Sequence, residues 1–232
     1  MRLLQQYKGR LTPAAAAEGM NAAITNAKRL AEDANLLFGK RRYPTASSLA
    51  ILSLEEQGKC GILRELLTAP SDDEIAECWK RYRRHTDKNY LALLPDYVRK
   101  GAPRLHHFRD LFMQDTESRR ATFDAIKQLG LYTDCCGNCH WSVPSEVVEQ
   151  TLAAVIVPLA SALSENTEPV TVEELDLWCL HMRGGLTREH LLNWCAAMVS
   201  AGLKPANYMD GMRRFTEGSS GTTDILGGLS II

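Results

Sequence analysis

The segment Tyr43–Lys59 constrains the fold most, because it sets charged side chains in a run that is otherwise small or apolar. Glu55, Glu56 and Lys59 stand among alanine, leucine and isoleucine residues that would cover a helix on nearly every side. A charge inside such a helix is costly unless it has an ionic partner. The sequence therefore predicts that these three residues form a buried polar network and that a neighbouring helix supplies partners for it.

Two other interpretations of these charges stay open. Glu55 and Lys59 are spaced i, i+4, so they also suit an exposed ion pair on an amphipathic helix, which would contribute little to stability. A direct catalytic role is the third. The nearby Gly58 and Gly61 favour the buried network, since they let another helix approach closely.

Cationic groups that could answer the buried charge follow downstream. Arg81, His85 and Lys88 recur at i, i+4 and i+7, which is one face of a helix. Such a set could cleave RNA without a metal, with His85 deprotonating the ribose 2′-hydroxyl and the two cations stabilising the phosphate. On spacing alone, a solvated basic face with an incidental histidine is favoured. Further candidates for phosphate contacts are Lys80, Arg83, Arg84 and Arg104.

Composition excludes several classes of protein. The 232 residues are 45% hydrophobic and carry a net charge of -1, so nothing in the overall charge draws the chain to nucleic acid or membrane. No apolar run reaches the length of a membrane span, and the N-terminus does not have the pattern of a signal peptide. Four of the seven cysteines lie in apolar helical patterns, which suits buried, reduced thiols in the cytoplasm. We expect no membrane partner.

Hydrophobic periodicity predicts an all-α chain. Thr12-Pro13 starts the first helix, and capping boxes at Ser71 and Thr171 start two others. The predicted helices cover 13–39, 44–68, from 71 onward, 105–129, 145–164, 171–182, 187–201 and 205–216. The predicted domains are a bundle over 1–168, with a non-helical turn segment near 131–144 that admits a small hairpin, a helical extension over 169–216 and a mobile tail over 217–232.

The cysteine-rich turn Cys135, Cys136, Cys139 and His140 contains the C-x-x-C-H pattern of c-type haem attachment and resembles half of a zinc site. Haem attachment would require export, and a zinc site built from two adjacent cysteines would be strained, with no second C-x-x-C to complete it. Cysteines placed by chance around a Gly-Asn turn are the favoured interpretation. The sequence thus predicts neither a metal nor a cofactor.

Three phrases follow one another along the chain. They are Tyr43-Pro-x-Ala46 to Glu55-Glu56-x-Gly58-Lys59, then His85-x-x-Lys88, then Lys127 with Leu131-Tyr132-x-Asp134, Gly137, Trp141 and Pro144. In order and spacing they resemble the AbiV family of abortive infection proteins, a branch of the HEPN superfamily. The resemblance covers about 20–144.

This resemblance implies a HEPN-like antiparallel helical bundle with a C-terminal extension, in a cytoplasmic protein that arrests phage multiplication by acting on RNA or the translation machinery. HEPN proteins commonly form homodimers that join two Arg–His motifs into a metal-independent ribonuclease site. The chain departs from that motif, in which four to six residues separate the arginine from the histidine. Only three residues separate Arg81 from His85. Arg99 and His106 have six, but across a glycine and a proline.

A second function, from a different class, is a non-enzymatic helical protein that blocks translation or signalling by binding a phage-encoded or host protein. Loss of His85 would separate the two, because it would abolish cleavage and leave a binding surface intact.

Overall fold

The structure, a computed structural model, describes residues 5–84, 116–136, 140–165 and 167–216. The expectation of an all-α chain is confirmed. The helices are α1 Pro13–Gly39, α2 Tyr43–Thr68, α3 Asp72–Arg83, α4 Thr116–Leu131, α5 Pro144–Val147, α6 Gln150–Glu165, α7 Val172–Met182, α8 Arg188–Ser200 and α9 Tyr208–Phe215. Two short strands, β1 Asp134–Cys136 and β2 His140–Ser142, lie between α4 and α5.

Hydroxyl caps begin the helices where the sequence predicted them. The Thr12 hydroxyl accepts a hydrogen bond from the Ala15 amide at 3.2 Å, with proline at the first helical position. The hydroxyls of Ser71 and Thr171 accept in the same way from the amides three residues on, at 3.3 and 3.1 Å. Each bond satisfies one of the amide groups that a helix leaves unpaired at its start.

Helices α1 and α2 form an antiparallel pair against which most of the other described helices pack. Contacts between α1 and α2 at two heights show the antiparallel arrangement: the Ser53 hydroxyl donates to the Ala27 carbonyl at 2.8 Å, and the Cys60 thiol to the Met20 carbonyl at 3.9 Å. The pair contributes to two hydrophobic cores, one at each end.

The first core joins the start of α1 and the end of α2 to α3 and the C-terminal helices. Its larger buried members include Met20, Ile62, Leu66, Trp79, Leu175, Trp178, Leu191 and Met198. The second core joins the other end of the pair to α4 and α6. Its buried members are Ala34, Ala46, Ala50, Ile51, Leu54, Ile156, Val157, Ala160 and Leu163. Helices α7–α9 therefore complete a core of the bundle, and the boundary after residue 168 stays a prediction.

The segment near 131–144 contains the small hairpin that the sequence admitted. Strands β1 and β2 pair antiparallel, with Cys135 opposite Trp141. In the described part of the chain this is the only sheet.

The predicted helix over 145–164 is wrong in one respect: it is two helices. Val148 has an extended backbone (φ -105°, ψ 100°) and separates α5 from α6. Its side chain is buried. Two consecutive β-branched residues, Val147 and Val148, lower helix propensity here, and the break allows the Val148 side chain to turn into the interior. Of the predicted helix over 105–129, residues 105–115 lie outside the described residues, as does the predicted tail over 217–232.

Among the described helices, none has both the length and the apolar character that crossing a bilayer requires.

The buried thiols yield a first prediction. Burial raises the pKa of the Cys60 and Cys78 thiols to about 11 and that of Cys195 to about 12. Since the thiolate is the reactive form, we expect iodoacetamide at neutral pH to leave these three and Cys179 unlabelled in the folded protein, whereas the exposed Cys135 is labelled. Peptide mass spectrometry before and after adding urea measures this. Rapid labelling of Cys195 in the native protein would contradict it.

Candidate functional site

Glu55, on α2, is buried at 2% exposure, and its partner is Lys127 of α4. The Lys127 ammonium donates to the Glu55 carboxylate at 2.8 Å and lies 3.0 Å from the Asp124 carboxylate one helical turn earlier. Lys127 itself is only 4% exposed. The charge that the sequence places within α2 therefore meets a charge of opposite sign, supplied by α4.

The two carboxylates keep Lys127 protonated. Burial alone would lower the pKa of Lys127, but the hydrogen bonds to Glu55 and Asp124 and the attraction of their charges outweigh it, so that pKa is raised above its ordinary value. The result is a charged and hydrogen-bonded cluster between two helices, in which loss of one member leaves another charge buried.

Close contact between α4 and α2 continues one turn beyond this pair. The Ser48 hydroxyl lies 3.2 Å from the Lys127 carbonyl and donates to it. A Cβ atom at Gly130 would lie 2.4 Å from the Ser48 hydroxyl and 2.8 Å from the Pro44 carbonyl. Only glycine fits there without a shift of the α2 backbone, so Gly130 fixes the end of α4 against the start of α2.

A neutral polar cluster joins α2 to α6. The Ser164 hydroxyl accepts a hydrogen bond from the Gln57 amide at 2.8 Å and lies 3.2 Å from the Ser53 hydroxyl. All three side chains are buried. Together with Ser48 and Glu55, they make α2 a central helix whose buried contacts are polar on two sides, which explains its weak amphipathic character.

Glu56 and Lys59 lie one step nearer the surface. The Lys59 ammonium donates to Glu56 at 2.6 Å, and each side chain is less than one fifth exposed. Lys59 also lies 5.4 Å from the centre of the Tyr82 ring on α3. The sequence-based pairing of Lys59 with Glu55 at i, i+4 is therefore corrected: Lys59 pairs with Glu56 at i, i+3.

One of the predicted cations, Arg81 of α3, does pair with an acidic residue of α2, but in the described residues that partner is Glu65. Arg81 donates from both terminal nitrogens to the two carboxylate oxygens of Glu65, the second at 3.3 Å. The sequence had placed Arg81 in a set with His85 and Lys88, which, like Arg104, lie outside the described residues. The carboxylate that the structure places against Arg81 is thus six residues beyond the end of the E-E-x-G-K phrase.

Two other cations at the end of α3, Lys80 and Arg83, also have partners. Lys80 donates to Glu77 at 3.2 Å on the same helix. Arg83 donates to the carbonyls of Tyr7 and Trp79 at 2.5 and 3.2 Å, and its guanidinium lies over the Trp79 ring. Arg84 is exposed and ends the helix. The basic end of α3 is therefore held in place by contacts within the protein.

Sequence reasoning missed the partner of Glu55, although a signal was present. Phe123, Lys127 and Gly130 are spaced four and three positions apart, so they lie on one face of α4. That face packs on α2. A lysine on the apolar face of one helix and a glutamate on that of another are complementary. A second missed pair, Arg64 with Glu174, ties α2 to α7, where the Trp178 indole also donates to the Arg64 carbonyl at 3.1 Å.

In the part of the chain that the structure describes, no group of three or more histidine, cysteine or acidic side chains is placed to bind a metal ion. Of the cysteine-rich turn, that part includes the side chain of Cys135, which is exposed. The side chains of Cys136, Cys139 and His140 lie outside it.

The described helices form an antiparallel bundle around α2, which is consistent with an all-α, HEPN-like fold. The family model described as AbiV matches residues 15–165, from α1 to the end of α6, which is more than half of the chain. The chain therefore belongs to the AbiV family, and this membership points to a function in abortive infection. No curated protein and no solved structure matches it.

The buried ion pair yields a second prediction. Lys127→Met should lower the free energy of unfolding by about 3–5 kcal/mol, because Glu55 would lose its cationic partner in the interior. Glu55→Met should do the same, whereas the double variant should lose much less than the sum of the two. Urea unfolding measures all three.

The exposed pair of Arg29 and Asp33 on α1 serves as the control. Arg29→Ala should change the free energy of unfolding by less than about 1 kcal/mol. Additive losses in the Glu55/Lys127 double variant would show that the two side chains do not act as a pair.

Proposed function

We propose that the protein is an abortive-infection effector of the bacterial cytoplasm that arrests phage multiplication by acting on RNA or on the translation machinery. The observation that carries this proposal is the AbiV match over residues 15–165, which includes the buried Glu55–Lys127 pair and the basic end of α3. The C-terminal helices lie outside the matched region.

In the catalytic form of this proposal, the protein is a metal-independent endoribonuclease. His85 takes the proton of a ribose 2′-hydroxyl, and Arg81 with Lys88 stabilises the charge that develops on the phosphate. Cations for the RNA backbone are Lys80, Arg83, Arg84 and Arg104. Support comes from α3, whose last turn contains Lys80, Arg81 and Arg83. This basic group therefore lies immediately before His85 in the sequence. A homodimer would join two such sites.

One observation favours a non-enzymatic form instead. The Arg81 guanidinium bonds to both oxygens of Glu65, and this bidentate pair uses the geometry with which arginine would otherwise hold a phosphate. Arg81 is then a structural link between α2 and α3. In this form the effector binds a phage-encoded or host protein and thereby blocks translation or signalling.

A third prediction separates the two forms. In cells challenged with phage, His85→Ala should abolish both RNA degradation and phage arrest if the protein cleaves RNA, because no other group of the proposed site takes the proton. The matched control is His181→Ala, on α7 and outside the family match. It should keep both. RNA integrity, plaque counts and thermal unfolding are the measurements.

Phage arrest by His85→Ala with intact RNA would overturn the catalytic form and support the binding form. A wild-type protein that arrests phage while neither binding nor degrading RNA, and while translation continues, would overturn the proposal itself.

A further inference from the structure

The turn between α1 and α2 presents a compact group of cations. Lys40, Arg41 and Arg42 are consecutive and all exposed. Within the described residues, no acidic side chain forms an ion pair with any of them. The sequence has no aspartate or glutamate over residues 34–54. Three positive charges are thus displayed together with no negative charge from the same stretch of chain.

Arg41 adopts a backbone conformation that arginine disfavours. Its φ of 59° is the one positive value at a non-glycine position among the described residues. Glycine would adopt this conformation without strain, and an L side chain there is destabilising. A residue in this region is common just after the end of an α-helix, where backbone hydrogen bonds hold it in place.

The turn is held in one conformation. The Arg41 amide donates to the Phe38 carbonyl and the Arg42 amide to the Leu37 carbonyl, both at 2.9 Å. The Phe38 and Tyr43 rings meet edge to face, with centres 5.6 Å apart. A rigid turn fixes the positions of the three cations before any ligand arrives, which lowers the entropic cost of binding.

Two exposed aromatic side chains follow the end of α4, which packs against the start of α2. Gly130 touches Pro44, and Tyr132 follows two residues later at 61% exposure. With about 3.8 Å between successive Cα atoms, the backbones of Tyr132 and Arg42 are within about 20 Å of each other. On the adjoining hairpin, Trp141 is 62% exposed. Both rings are therefore open to solvent and available to a partner.

We infer that this surface, formed by Lys40, Arg41, Arg42, Tyr132 and Trp141 and called here the turn–hairpin surface, binds single-stranded RNA. The inference rests on the proposed function, because it names where that RNA is held. Cations attract the phosphate backbone, and exposed rings stack on unpaired bases whatever their sequence. Double-stranded RNA does not present the faces of its bases in this way. A protein partner would need acidic groups for the cations and would not require stacking rings.

The contrast with α3 supports this assignment. Lys80 and Arg81 pair with carboxylates and Arg83 bonds to carbonyl oxygens. The cations of the turn have no such partners among the described residues. A phosphate arriving at the turn displaces only water and counterions, whereas a phosphate at Lys80 or Arg81 must compete with an ion pair already formed. The turn–hairpin surface is therefore the better site for capturing the strand.

The test is fluorescence anisotropy of the full chain with a fluorescein-labelled single-stranded RNA, repeated over a series of salt concentrations. The triple variant Lys40→Ala/Arg41→Ala/Arg42→Ala should weaken binding at low salt and reduce the slope of log K against log salt by about 2, since each lost phosphate contact on a single strand contributes about 0.7. Trp141→Ala should weaken binding about tenfold with the slope unchanged, because stacking releases few counterions.

The variant Arg41→Gly is a control that separates a loss of RNA affinity from a loss of folding. It removes one cation and relieves the backbone strain, so its thermal stability should equal or exceed that of the wild type while its RNA affinity falls. Arg183→Ala, at the end of α7 beside the other core, removes the same charge from an exposed position and should leave affinity unchanged.

The outcomes separate this inference from the proposed function. If the wild type binds RNA and the turn and Trp141 variants bind equally well, the turn–hairpin surface is not the site, and the proposed function stands. Absence of any RNA binding by the wild type would overturn both this site and RNA as the target. If the variants lose phage arrest with RNA affinity unchanged, the surface binds a protein, and the RNA assignment is wrong.

Discussion

The contact between Glu55 and Lys127 is the interaction on which the bundle depends. A carboxylate at the middle of α2 cannot remain charged among leucine and alanine side chains unless a cation reaches it, and the cation comes from a helix 72 residues away in sequence. Because the pair and Gly130 together fix α4 on α2, they also fix where the hairpin begins. The position of the hairpin relative to the start of α2 therefore follows from a buried ion pair and from one residue without a side chain.

Local signals in the sequence predicted most of the fold, and long-range pairing limited the rest. Hydroxyl caps and proline located the starts of α1, α3 and α7 to within a residue, since a cap is satisfied by amides three positions away. The need of Glu55 for a partner was also readable. Which cation answers it was not, because any lysine or arginine on an apolar helix face satisfies the same requirement. The basic end of α3 is nearer in sequence, and that closeness favoured α3 over α4. His85 and Lys88, which were predicted to supply partners, lie outside the described residues.

Two cores on one helical pair give the molecule two chemically different ends. The end that carries α3 and the C-terminal helices has tryptophans, with Trp178 and Trp194 edge to face at 5.2 Å, and cations bound to carboxylates. At the opposite end lie small apolar side chains, buried serines and cations that face solvent. The AbiV match reaches the last residue of α6, so the family region includes all of the second core and only part of the first.

The shared first core has a consequence for synthesis on the ribosome. Met20 and Leu66 are among the earlier residues to emerge, yet their surroundings are completed by Leu191 and Met198, which are made more than a hundred residues later. A growing chain thus exposes this apolar surface until α7 and α8 have left the exit tunnel. The second core needs nothing beyond α6. The end of the protein that carries the turn and hairpin can therefore assemble first, while the other end still awaits its last helices.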